Sequence, residues 1–543
     1  MSNKEVSGSS EKKHQNDTEN TKQRSFKSKP SLDRSKNASE DRSKISSEDK
    51  SKGASEKSKS ASERSKSSSE RPNRPSGSTY DKKKKNEKKP VSGPTIELAI
   101  TDIGESGEGV GKFEGMTVFV EGAQPGDTVK CRVYEQKKTY SRAKTVEIIK
   151  PSKFRIVPPC PVYEACGGCQ IQEIEYQQQL KLKESMVNNA VKRIGGVDLE
   201  SAPIIGMKQP FRYRNKGVYQ IQGTSEQPKI GFFRPKSHDV VDVKDCLLQD
   251  EINAKIVDVI RKYMKDFKVE PYNVAKKKGT LISLMIRKSE TTGEIMVVLV
   301  TASNKLAMTK TLVELLKAVS SNIVSIIQSV KEHQGIKGLG DHSKVLYGKS
   351  TISDAIEDLS FEISAESFYQ VNAKQTKQLY QKVLEFAALT GEETVCELYS
   401  GTGTISLFLG KRAKRVFGVE IVPEAVENAN SNAKRNGLEN VTFIEGDAHN
   451  VISDLSKTLG EDQRIDVVVV DPPRSGCDEG VIKSIKEMNP ERVVYVSCKP
   501  STLSRDIKRL TEDGQYQLKQ IQAVDVFCQT AHVESVVLLT KVN

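Results

Sequence analysis

No apolar run in the 543-residue chain is longer than the six residues at 295–300, whereas a helix that crosses a membrane needs about 20. The opening Met1-Ser2-Asn3-Lys4-Glu5 leads into no hydrophobic core of a secretion signal, so neither a membrane protein nor a secreted one is expected. Cysteine is scarce as well. Nine in so long a chain, an odd number, do not make a disulfide framework, and a reducing cytoplasm is the expected setting. What is present is charge: 29% of residues are Asp, Glu, Lys or Arg and the mean hydropathy is -0.53, as in a water-soluble protein. The length allows three or four domains at roughly 100 to 200 residues each.

The net charge of +13 is unevenly placed. Residues 1–90 hold 25 Lys and Arg against 14 Asp and Glu, which leaves a near balance of 60 against 58 for the rest. This tail repeats itself. Asp33-Arg-Ser-Lys-Asn-Ala-Ser-Glu40 recurs at 41–48 and 49–56 and in two shortened copies ending at Glu63 and Glu70. Ser, Lys, Glu and Gly bury too little apolar surface to offset the entropy of ordering, so 1–92 is expected to be a disordered tail. The lysine run at 82–85 suits phosphate contact, although a solvated tail reads the same way.

From Thr95 short alternating segments at 96–103, 117–120, 128–134 and 143–149 are separated by Gly-rich turns. This predicts a small β-barrel over 93–152, of a kind that often binds oligonucleotides. Residues 153–365 give mixed signals, with a helix expected over 173–194, stopped by Gly195-Gly196, and strands near 218–222, 230–233, 281–287 and 295–300. Phe211-Arg212-Tyr213-Arg214-Asn215-Lys216 interleaves aromatic and basic residues, which suits base stacking beside phosphate contact and equally suits the charged face of an ordinary sheet.

Over 366–543 the pattern becomes regular. Near-continuous apolar strands at 394–398, 416–420, 441–444, 465–470 and 493–497 alternate with helical stretches, and an antiparallel pair closes the chain. This predicts a doubly wound, Rossmann-like α/β domain, in which ligands bind beyond the carboxyl ends of the strands where strand order reverses. The first of these strands ends in Glu397-Leu398-Tyr399-Ser400-Gly401-Thr402-Gly403, and Glu420 closes the next. Two glycines let the backbone approach a ligand, and a strand-terminal carboxylate accepts from both hydroxyls of a ribose, so an adenosine-containing ligand is expected. Position 406 is Ser where the dinucleotide fingerprint has its third Gly, which disfavours nicotinamide and flavin.

Two more strands run into Asp471-Pro472-Pro473-Arg474 and Ser497-Cys498-Lys499-Pro500. Cys498 is a candidate nucleophile, with Lys499 expected to favour the thiolate, although a cysteine with apolar flanks is often only a packed core residue. Glu534 begins the last strand and is a candidate for the same crevice, or simply a solvated carboxylate. Apart from these, Cys160, Cys166 and Cys169 stand within ten residues around two glycines, with Cys246 downstream. Four thiolates form a metal-ligand pattern that suits zinc and a four-iron cluster equally.

Taken in order, Phe368-Tyr369-Gln370-Val371-Asn372, the Glu397 to Gly403 motif, Asp471-Pro472-Pro473-Arg474, Ser497-Cys498-Lys499-Pro500 and His532-Val533-Glu534 resemble the S-adenosylmethionine-dependent RNA (uracil-5-)methyltransferases. The barrel resembles the RNA-binding TRAM domain of the ribosomal-RNA members, and Cys160, Cys166, Cys169 and Cys246 match the ligands of that branch's [4Fe-4S] cluster. The likeness covers about 93 to 543 and departs from the family in Ser400, where Cys is common, and in Lys499, where Asn is common. By that resemblance Gln370, Tyr399, Glu420 and Asp471 bind the methyl donor, Cys498 is the nucleophile and Glu534 the base. The expected activity is methylation of carbon 5 of uridine in large-subunit (23S) ribosomal RNA. Its alternatives are the same chemistry on tRNA and, from a different class, a non-catalytic RNA-binding or ribosome-assembly factor. No obligate protein partner is expected.

Overall fold

The computed structural model describes residues 93–332, 338–458 and 464–542, and the expected tail at 1–92 lies outside them. Strands β1 (Thr95–Ile103), β2 (Gly109–Phe113), β3 (Met116–Glu121), β4 (Thr128–Gln136) and β5 (Tyr140–Lys150) close into a barrel in the order β1-β2-β3-β5-β4. Alternation along each strand turns Leu98, Ile100, Val118, Val120, Val129, Cys131 and Ala143 inward, and these residues fill the barrel. The β1–β2 turn packs outward against the rest of the chain. Gly107, at φ 88°, lies so close to Gln170 that a Cβ would come within 2.6 Å of that side chain.

Helix α1 (Tyr176–Ala190) continues into one π turn at Val191–Gly195, and Gly196 at φ 73° ends it, close to the limits expected from sequence. Strand β6 (Ala202–Ile205) follows, then β7 (Lys216–Gly223), β8 (Pro228–Phe233), β9 (Val240–Asp242), helix α2 (Ile252–Asp266), β10 (Leu281–Lys288), β11 (Ile295–Thr301), helix α3 (Thr309–Lys317), β12 (Ile323–Val330) and β13 (His342–Gly348). Seven of these strands form one sheet, β13-β12-β11-β10-β7-β8-β9. Ile256, Ile260 and Tyr263 of α2 and Leu312 and Leu316 of α3 pack into its core. Met285, Met296, Val298 and Ile327 join the core of the C-terminal region instead, so β11 is buried along its whole length.

A hairpin, β14 (Thr351–Ile356) and β15 (Leu359–Ser364), leads to the last region. It comprises α4 (Ala373–Ala387), β16 (Thr394–Leu398), α5 (Thr404–Gly410), β17 (Arg415–Glu420), α6 (Pro423–Arg435), β18 (Val441–Glu445), α7 (Ala448–Thr458), β19 (Val467–Val470), α8 (Glu479–Met488), β20 (Arg492–Ser497), α9 (Pro500–Thr511), β21 (Tyr516–Val524) and β22 (Glu534–Lys541). The sheet order is β18-β17-β16-β19-β20-β22-β21-β6, parallel except for β22. This is the expected doubly wound sheet with one addition. Its edge strand β6 comes from the stretch read as central, so the sheet draws on both sides of residue 366. Order reverses between β16 and β19, which opens a crevice beyond their carboxyl ends. Among the described residues no helix is long and apolar enough to cross a membrane.

Candidate active site

At the crevice the chain leaves β16 through Tyr399, at φ 64°, Gly401 at φ 54° and Gly403 at φ 81°. A left-handed backbone at a bulky tyrosine is strained and marks a turn imposed by its surroundings. Glu420 imposes part of it, because its Oε2 accepts from Gly401 N at 2.9 Å while its Oε1 accepts from Val422 N at 2.9 Å. A Cβ on Gly401 would meet nothing within 4 Å, so the turn faces open space, and Ile421 and Val422 stand exposed at its rim. Ser400 Oγ is buried there without a hydrogen-bond partner. Beneath the turn Ser406 Oγ donates to Glu397, whose carboxyl burial pushes up to about 8. Ser at 406, which disfavoured a dinucleotide, thus serves an acid below the loop.

Asp471 leaves β19, Cys498 leaves β20 and Glu534 opens β22. Ser497 pairs with Ser535, so Cys498 and Glu534 occupy the next position on neighbouring strand ends. Glu534 is buried, and burial followed by the charge of Asp471 pushes its carboxyl well above the ordinary value, with Arg474 opposing. Burial raises Asp471 from 3.8 to about 6. Cys498 is half-buried, and burial and then Glu534 raise its thiol while Arg474 lowers it. The cation that opposes this rise is therefore Arg474 and not, as expected, Lys499, whose Nζ lies 3.9 Å from Glu105 of the barrel turn. Both the thiol and the carboxyl at this corner are therefore biased toward their protonated forms.

Sequence reasoning gave no role to three further residues. Arg474 Nη2 donates to His532 Nδ1 at 2.9 Å, and burial followed by Arg474 holds that imidazole down at about 4, hence neutral. Both residues line a cavity of about 350 Å³ with Glu105, Ser106, Gln170 and Lys499. Buried Tyr380 on α4 bonds Thr404 Oγ1 at 2.8 Å and faces Asp471, Glu397 and Glu534. Arg474 and His532 lay inside motifs already noted, whereas Tyr380 sits in a plain amphipathic helix and carried no signal.

The predicted residues therefore form two groups, Tyr399 and Glu420 around the glycine turn, and Asp471, Cys498 and Glu534 at the adjoining strand ends. Gln370 lies in the loop before α4, where its carbonyl accepts from Asn215 Nδ2 at 2.9 Å. The segment that suggested base stacking is instead tied inward. Arg212 bonds Asp245 and the carbonyls of Cys246 and Gln249, and buried Tyr213 donates to Cys528 O at 2.9 Å. Cys160, Cys166, Cys169 and Cys246 are free thiols that line one cavity of about 390 Å³. Gly168 N donates to Cys166 Sγ at 3.4 Å and Gln172 Nε2 to Cys169 Sγ at 3.1 Å, and burial pushes Cys169 up to about 12. Among the described residues no three or more His, Cys, Asp or Glu side chains are grouped to hold a metal ion.

Residues 176–542 match the family model of tRNA (Uracil-5-)-methyltransferase and residues 92–146 that of the TRAM domain. An uncharacterized RNA methyltransferase of Clostridium acetobutylicum is 43% identical over 450 residues, covering 82% of this chain and 97% of its own. One from Halalkalibacterium halodurans is 43% identical over 449 residues, with the same shares covered. The crystal structure of Pyrococcus abyssi tRNA (uracil-54, C5)-methyltransferase in complex with S-adenosyl-L-homocysteine superposes with a TM-score of 0.66 at 27% identity, covering 82% of this chain and 100% of that one. The chain belongs to the tRNA (Uracil-5-)-methyltransferase family and is an S-adenosylmethionine-dependent RNA methyltransferase.

Proposed function

We propose that the enzyme methylates carbon 5 of a uridine in large-subunit (23S) ribosomal RNA through a transient bond between Cys498 Sγ and carbon 6. The observation that carries this reading is the half-buried thiol beside a buried carboxyl at the abutting ends of β20 and β22. Carbon 5 of uracil is a weak nucleophile because its electron density is held in the conjugated ring. Addition of the Cys498 thiolate at carbon 6 gives an enolate with carbanion character at carbon 5. S-adenosylmethionine supplies an electrophilic methyl group on a positively charged sulfur. Once that methyl is on carbon 5, Glu534 takes the remaining carbon 5 proton and Cys498 leaves as thiolate, restoring the ring. Glu534 acts here as the carboxylate, a form that positive charge bound near it and Asp471 favours.

For the donor, the open turn at Gly401, the unpartnered Ser400 hydroxyl and the exposed Ile421 and Val422 fit an adenosine. Glu420 keeps lone pairs for the ribose hydroxyls, and Tyr399, Asp471 and Gln370 complete the set. For the metal, a cavity lined by Cys160, Cys166, Cys169 and Cys246 and two N–H groups aimed at sulfur suit a [4Fe-4S] cluster, with zinc as the other candidate. Methyl transfer moves no net electrons, so the cluster's part is to fasten the chain around Cys246.

Ribosomal RNA is favoured because barrel and cysteine set occur together in the branch this chain resembles. The Pyrococcus abyssi likeness favours the second reading, a tRNA substrate. RNA tritiated at uracil carbon 5 and labelled methyl donor test the chemistry. Tritium release equal to methyl incorporation is expected, and unchanged turnover in Cys498→Ala refutes the reading. Loss of 5-methyluridine from 23S RNA in a deletion strain identifies the target, and loss from tRNA alone overturns it.

A further inference from the structure

The 525–533 loop hands the chain from β21 to Glu534, and groups outside the chemistry above hold it on several sides. Asp525 is fully buried. Its Oδ1 accepts from Lys183 Nζ at 2.5 Å and its Oδ2 from Tyr176 OH at 2.8 Å, both on α1. Lys183, itself buried, donates again to Phe527 O at 3.1 Å, and Tyr176 OH accepts from Met207 N at 2.8 Å. Gln179 on the same helix donates to Gln529 Oε1 at 3.0 Å, and the N–H groups of Gln170 and Ile171 reach Gln529 O. Gln529 needs that support, since its φ of 68° costs a non-glycine residue about 1 kcal/mol or more. From the other side Asn372 Nδ2 donates to Val526 O at 2.8 Å.

A buried ion pair is a costly way merely to fill space. Desolvating both charges costs several kcal/mol, and a pair of apolar side chains often serves stability as well or better. What the pair adds is direction, and Lys183 spends its second hydrogen bond on the loop backbone. Beyond Gln529 the path runs through His532, held by Arg474, straight into Glu534.

We infer that Tyr176, Lys183 and Asp525 are positioning residues for the proton-abstraction step, fixing the loop that sets where Glu534 stands against carbon 5. The inference rests on Glu534 as base. Cys498 is carried by the end of β20 and the start of α9 and is not part of this loop, so loosening the loop disturbs Glu534 before it disturbs the thiol and separates the two half-reactions. Addition and methylation proceed while elimination lags.

The test uses the full chain as Lys183→Met, Asp525→Asn and the double variant K183M/D525L, with uracil RNA and labelled methyl donor. Expected is a denaturant-stable, methyl-labelled RNA–protein adduct at least tenfold above the wild-type level, a tenfold or greater fall in kcat, and an unchanged KM for the donor. The double variant leaves no charge unpaired, so it loses less stability than either single variant, folds and still accumulates adduct. Wild-type turnover without adduct in the double variant overturns the inference. So does a folded variant in which adduct formation and turnover fall together. Should Lys183→Met fail to fold, Asp525→Asn and the double variant decide. Two parallel variants isolate the parent reading. Turnover in Cys498→Ala refutes the covalent mechanism, and absence of adduct in Glu534→Gln refutes the choice of base, each independently of the loop.

Discussion

Asp471→Asn is expected to make the donor-free protein more stable at pH 8 while weakening its grip on the methyl donor. Burial raises the Asp471 carboxyl from 3.8 to about 6, so the folded chain holds its proton more tightly than the unfolded chain does. Stability therefore falls as pH rises from about 4 to about 6, and the whole cost is present above that window. A rise of that size corresponds to about 3 kcal/mol. Asparagine keeps the shape and removes the ionisation, so the variant loses this pH dependence. Its amide must still find hydrogen-bond partners, which trims the expected gain at pH 8 to about 1 to 3 kcal/mol. The same substitution relieves Glu534, whose carboxyl the Asp471 charge pushes up. A bound sulfonium offsets the repulsion in another way. S-adenosylmethionine should therefore stabilise wild type more than S-adenosylhomocysteine, whose sulfur is neutral, and the difference should shrink in the variant. Thermal unfolding of both proteins from pH 4 to 8, with and without each ligand, reads all of this. A variant that differs from wild type by the same margin at every pH refutes the reasoning.

The glycine turn separates binding from stability. Gly401→Ala places its methyl in open space where the donor is proposed to lie, and should weaken donor affinity at least tenfold, measured by calorimetry, with about 1 kcal/mol lost from folding. Gly403→Ala, whose Cβ would stand 2.5 Å from Phe443 Cζ at φ 81°, should instead cost about 1 to 3 kcal/mol in denaturant unfolding. Ser406→Ala removes the donor to buried Glu397 and should lose about 1 to 3 kcal/mol by the same assay. Cys246→Ser should abolish iron and acid-labile sulfide in protein purified without oxygen, and an unchanged content of both would refute the cluster assignment.

Much of the site was legible in the sequence because its parts are strand ends, and a strand end is a local feature. Apolar runs at 394–398, 416–420 and 493–497 located β16, β17 and β20, and Glu420 at the end of one, with Tyr399 and Cys498 just past the others, lies at the crevice because a doubly wound sheet presents its carboxyl ends there. Less local facts went unread. Phe211 to Lys216 looked like a stacking platform because alternation of ring and charge is the same whether the charges meet phosphate or Asp245 and main-chain carbonyls. Strand β6 lies in the C-terminal sheet through a pairing with β21, more than 300 positions away, that no periodicity announces. Lys499 stands next to Cys498 in the chain, yet Arg474 is the cation that offsets the thiol's burial, because Coulomb attraction follows distance through space.

The order of motifs and the two-residue and 3.6-residue periods by themselves determined most of the strands and helices of the C-terminal sheet and which side chains are candidates for the chemistry, since both depend on neighbours along the chain. The state of those side chains was decided only by tertiary structure. Burial pushes the Glu534 carboxyl up and the His532 imidazole down to about 4, and Lys183 meets Asp525, 342 positions distant, because burial and electric field are set by what folds around a group.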